Sequence, residues 1–133
     1  VKSGNSTLNN LSNIIRGFNN VHISFLDKED YSINTNSFNW NLNTSIIDID
    51  NELKIYFDNT KIIATNGIYY IDSGLLNIDN SEFNRNVYNS DGKEEYNVQI
   101  KSDFAKWINN QNTLVFTSND KQVETTIKFL TIK

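Results

Sequence analysis

The sequence predicts a small, mainly antiparallel β domain: a β-sandwich or meander barrel with two short helices, near residues 7–17 and 102–109. Three observations predict it. Apolar and polar residues alternate along many short runs, the period-two signature of half-buried strands. Dipeptides rich in Asn, Asp, Ser and Gly separate those runs. Finally, Phe83–Ile100 folds back on itself at Asp91-Gly92, a strong hairpin signal because a type I′ turn needs positive φ at both central residues. That fold pairs Val87 with Tyr96, Arg85 with Val98 and Phe83 with Ile100 on a face that is apolar apart from Arg85 and the pair next to the turn. Tyr88 with Glu95, Asn86 with Asn97 and Asn84 with Gln99 form a wet face. A one-residue slip inverts both faces, so pattern and turn specify the same register.

The elements follow in order. Val1–Asn5 reads as a tail or linker before a single β-rich domain over 6–133. Leu8, Leu11, Ile14, Ile15 and Phe18 recur at helical spacing behind a Ser6 or Thr7 cap. Val21–Leu26 alternates as a strand with His22 outward. In Tyr31–Asn43, Phe38, Trp40 and Leu42 share one face; the stripe reads as core, with a sugar platform as the sharper alternative. Ser45–Ile49 and Leu53–Asp58 are strands around Asp50-Asn51. Asn66-Gly67 is a second hairpin signal, pairing Ala64 with Tyr69 and Ile62 with Ile71. Asp72-Ser73-Gly74 turns into Leu75–Asp79. Ser102 caps a short helix that carries Phe104, Trp107 and Ile108 on one side. A last hairpin turns at Asn119-Asp120, pairing Phe116 with Val123, and its final strand, apolar on both faces near its end, is expected deep in the sheet. The competing architecture is a short parallel β-helix. Ile33–Phe38, Phe57–Ile62 and Ile78–Phe83 resemble one another at solenoid-like spacing.

Composition narrows function. The chain has 133 residues, one domain's worth. Net charge is −4, and the 12 Lys and Arg are scattered singly, so neither nucleic acid nor an anionic membrane surface is an expected partner. There is no Cys, hence no disulfide or thiolate chemistry. No apolar run approaches the ~18 residues of a membrane span. The chain opens on Val rather than Met, which suggests excision from a longer precursor. It holds 24 asparagines and no proline. AT-rich coding is one reading of that bias; a polar, uncharged recognition surface is the other.

No hydrolase, zincin, phosphate-loop or dinucleotide motif is present. The only His, His22, has no carboxylate or nucleophile beside it in sequence. A carboxylate pair among the 16 acids is the remaining enzymatic route. Asp48, Asp50 and Glu52 alternate with spacing that can suit a Ca²⁺ ion, although a solvated turn between two strands is the favoured reading; no other cofactor is expected. Asn5, Asn10 and Asn43 fit the N-glycosylation pattern. Tyr88, Asn86 and Asn97 are the candidate ligand-binding residues, since a ring can stack on a sugar while amides bond its hydroxyls. The leading reading is therefore a non-enzymatic extracellular or cell-surface domain binding a glycan or protein partner. A structural subunit of a filament, phage tail or pilus, self-assembling by strand addition, is the second. A small acidic inhibitor or immunity-type protein is the third.

Overall fold

A computed structural model describes residues 1–25, 28–108, 111 and 113–129. The chain forms β1 (Asn5–Asn9), β2 (Ile14–Phe25), β3 (Lys28–Asn41), β4 (Ile46–Ile49), β5 (Leu53–Phe57), β6 (Thr60–Ala64), β7 (Asn66–Tyr70), β8 (Leu75–Tyr88), β9 (Glu94–Ile108), β10 (Thr113–Thr117) and β11 (Glu124–Phe129). Every pairing between these strands is antiparallel. The architecture is mainly β and antiparallel, as expected; the parallel β-helix is not what forms.

The topology is simpler than eleven strands suggest. β4 and β5 run end to end along β3. β7 and β6 do the same along β8, and β10 and β11 along β9. Merging those three pairs leaves eight long passes, each beside its predecessor in sequence. The sheet rolls into a trough. Its closed flank is β4–β7 and β5–β6, which link β3 to β8. Its other side is a seam: among the described residues, no backbone pairing joins β1 or β2 to β10 or β11.

The long passes are kinked at mid-length. Ile33 and Phe38 are both buried although five residues apart, and so are Ile78 and Phe83. An unbroken strand would send them to opposite faces. On β2 the register shifts between Phe18 and Val21, with Asn19 (φ 65°) and Asn20 (φ 56°) left-handed; on β8, Asn80 (φ 51°) is left-handed. Asparagine tolerates that region better than other residues with a Cβ. Part of the Asn bias is thus conformational, and two of the three repeat-like hexapeptides are kinks.

On β3, β8 and β9 the long strand changes partner at the kink, and a side chain fills the gap. Asn51, between β4 and β5, accepts from Thr35 Oγ1 (2.6 Å) and the Asn36 N–H (3.2 Å), and donates to the Ser37 carbonyl (3.0 Å) and Oγ (2.8 Å). Thr65, between β6 and β7, donates through its N–H to the Asp79 carbonyl (3.0 Å) and accepts from Asn80 Nδ2 (3.3 Å). Asp103 on β9 holds the β10–β11 jog, accepting from the Asn119 N–H (3.1 Å) and pairing with Lys121 (3.4 Å).

Several sequence expectations are corrected. Neither helix forms. Residues 7–17 are the β1–β2 hairpin, and Leu11, 99% exposed, sits in its turn. Residues 102–108 belong to β9, where the kink places Ser102, Ala105 and Trp107 on one face and mimics helical spacing; Asn109 lies outside the described residues. Asn66-Gly67 is not a turn, because β7 is held between β4 and β8. Gly67 is small for packing instead: a Cβ there would sit 3.1 Å from Ile78 Cγ2. The Asn119-Asp120 hairpin does not form, since β10 and β11 both prefer β9. The last strand is not deep: β11 is exposed at Glu124–Lys128, and the expected Leu130 and Ile132 lie outside the described residues. Within the stretch expected as a tail, Lys2 and His22 exchange backbone hydrogen bonds of 2.7 Å.

The Phe83–Ile100 register is as read, apart from a bulge that sets Tyr88 against Glu94. Its turn is longer than type I′. Only Gly92 is left-handed (φ 76°), and Asn89 Oδ1 accepts from the Asp91 and Lys93 N–H groups.

Candidate functional site

The inward side of the trough is apolar. Leu53, Ile55 and Phe57 on β5 face in because alternate residues of one strand share a face, and Ile62 and Ala64 on β6 join them. Leu76 and Ile78 enter from β8, Trp107 from β9, and Leu114 and Phe116 from β10. Tyr31 on β3 stacks on Phe57 with ring centroids 5.0 Å apart, and Trp107 lies 4.9 Å from Phe57 and 5.4 Å from Tyr31. This aromatic cluster joins the β3–β5 wall to β9 across the trough. The enclosed space is about 20 Å³, room for roughly one water.

Besides Thr35 at the β3 kink, two polar features interrupt the lining. Ser81 and Ser102 share a buried hydrogen bond of 2.7 Å between β8 and β9. The Thr60 hydroxyl is buried with no hydrogen-bond partner. Leaving such a group unpaired costs about 1–3 kcal/mol.

At the seam the lining comes to the surface. Ile127 is 53% exposed and Leu8 55%, and each lies on an edge strand. β1 and β11 flank the opening and are covered on neither face at any position from Asn5 to Asn9 or from Glu124 to Lys128.

The sequence-predicted ligand residues lie on the opposite, outer face. Asn86 and Tyr88 line a groove of about 660 Å³ together with Lys61 and Lys101, and Asn97 is the cross-strand partner of Asn86. Asn97 is buried, and its amide is already engaged. Its Nδ2 donates to Asn84 Oδ1 (2.6 Å) and Asn86 Oδ1 (2.7 Å), while its Oδ1 accepts from Gln99 Nε2 (3.0 Å). The amides bond one another across the ladder. Asp48, Asp50 and Glu52 are all exposed, and no group of three candidate metal-ligating residues clusters among the described residues. Asn5, Asn10 and Asn43 are exposed, the last accepting from Asn13 Nδ2. His22 is on the outer face, with Nδ1 2.7 Å from Asn34 Oδ1.

Sequence reading assigned the trough lining to core, and with reason. The Leu53–Phe57 alternation is identical whether the face it makes is packed shut or can open.

No family model matches the chain, and neither does any curated protein sequence. The fold does have solved counterparts. One is the crystal structure of LptH from Pseudomonas aeruginosa, the LptA-homologous periplasmic component of the conserved lipopolysaccharide transport device. It superposes with a TM-score of 0.67 over 96% of this chain and 92% of that one, at 8% sequence identity. The chain has an LptA-like fold. That likeness overturns the surface-adhesin reading with its glycan-binding role, the filament, tail or pilus subunit, and the acidic inhibitor. The neighbour is a lipopolysaccharide-transport component, and the face thought to bind sugar spends its amides on itself. No helix among the described residues is long and apolar enough to cross a membrane.

Proposed function

We propose that this chain is a non-enzymatic carrier that holds the acyl chains of an amphipathic lipid, of the lipopolysaccharide class, inside the trough, on the outer side of the cytoplasmic membrane. The observation that carries the reading is the apolar lining that ends at an unpaired seam, in a fold matching the LptH component over nearly its whole length. The 20 Å³ interior is too small for an acyl chain, so loading requires the walls to part. The seam permits this without breaking a strand ladder, because none crosses it among the described residues. Each buried CH₂ then contributes about 0.8 kcal/mol.

Trp107 reports on loading. In a Trp40→Phe variant it is the remaining tryptophan. Titration with purified lipopolysaccharide is expected to change its emission saturably, while the deacylated saccharide leaves it unchanged and does not compete. Equal binding of the deacylated saccharide would overturn the reading.

A further inference from the structure

We infer that Arg85 and Thr60 form an anion-binding site at the end of the trough, which takes the phosphate or other anionic headgroup of an amphiphile whose chains lie inside. The inference rests on the proposed trough function and adds the charge of the ligand.

Arg85 follows Phe83 on β8 by two residues, so it shares Phe83's inward face; the bulge of this hairpin comes later, between Val87 and Tyr88. Its cross-strand partners are Thr60 on β6 and Val98 on β9. Such partners place their Cβ atoms about 4.5–5.5 Å apart. Arg85 is thus a cation on a mainly apolar face, as the hairpin pattern already indicated. It is exposed where Phe83 is buried, because the trough opens beyond Phe83. It forms no ion pair among the described residues, and Glu82, three residues earlier on β8, is on the opposite face.

Thr60 supplies the independent observation. It is 4% exposed, it faces in with Ile62 and Ala64, and its hydroxyl has no partner. A guanidinium presents up to five donors and a threonine one more, a set that suits an oxyanion. Val98 and the exposed Ile127, paired across β9 and β11, continue the apolar surface beside Arg85. An anionic head with an apolar tail therefore satisfies both surfaces at once. Inorganic phosphate satisfies only the first.

The test is titration of the full chain carrying Trp40→Phe, followed by Trp107 emission, with dodecyl phosphate, with the neutral dodecyl octaethylene glycol ether, and with inorganic phosphate. Dodecyl phosphate is expected to bind at least ~10-fold more tightly than the neutral ether, which is about 1.4 kcal/mol, and the advantage should shrink with salt. Arg85→Gln should abolish the advantage while leaving the neutral ether's affinity unchanged. Arg85→Lys should keep part of it, and Thr60→Val should reduce it a few-fold. Inorganic phosphate should neither shift the emission nor compete at the same concentrations. Equal affinities for the two amphiphiles where Arg85 is intact, or an advantage that survives Arg85→Gln, would overturn the anion site and leave the trough standing. Binding of neither amphiphile would overturn both.

Discussion

The closed flank and the open seam of this trough use the same kinds of strand and end in opposite states. β5 reads Leu-Lys-Ile-Tyr-Phe and buries Leu53, Ile55 and Phe57; β11 reads Glu-Thr-Thr-Ile-Lys-Phe and leaves Ile127 half in solvent. The difference lies outside the strands. β5 is paired on both edges, by β3 and β6, whereas among the described residues β11 is paired by β9 alone. Alternation decides which residues share a face, and the neighbours decide whether that face is dry.

Substitutions at three positions sharpen or break the contrast. The largest effect is expected on the flank. Leu53 is fully buried, so Leu53→Ala should cost about 2–5 kcal/mol in chemical denaturation, read as a lower midpoint at constant slope. A cost near that of a surface change would mean that the flank is not the rigid side. Next comes the joint within the flank. Asn51→Ala removes the side chain that serves the Asn36 N–H and the Ser37 carbonyl where β3 changes partner, and should cost about 1–3 kcal/mol. If Asn51→Asp matches the unmodified chain, the Nδ2 donations to Ser37 contribute nothing. The smallest effect belongs to the seam. Ile127→Ser should change stability by no more than about 0.5 kcal/mol, and β11 amides should exchange hydrogen well before those of β5. Equal protection of the two strands would erase the distinction between flank and seam.

Legibility in the sequence follows the same division. The β8–β9 register could be read because both of its determinants, turn and alternation, are local to Phe83–Ile100. Strands β4 and β5 were equally plain. What could not be read was partner choice. Asn66-Gly67 carries hairpin chemistry, but pairing by β4 and β8 outweighs it, and β10 and β11 lie in succession along β9 rather than against each other. The kinks misled in another way. A phase change between Ser102 and Ala105 looks like a helical step, and the β1–β2 turn places Leu11 where a helix would want it. Of the candidate site, Asn86 and Asn97 were correctly paired, but their mutual hydrogen bonding was invisible without coordinates. Arg85 stood out as the exception to an apolar face, and the sequence could not show that this face lines an opening.

The meander has a consequence for how the chain folds. Each pass lies beside the one made just before it, so most of the ladder closes loops of only a few residues, and the entropy of bringing ends together stays small. A β protein built this way has low contact order for its class and belongs at the fast end of that class. With no proline in the sequence, the tens-of-seconds wait for prolyl isomerisation is missing as well. The walls can assemble in chain order, β10 and β11 joining after β9 to complete the second lip of the seam.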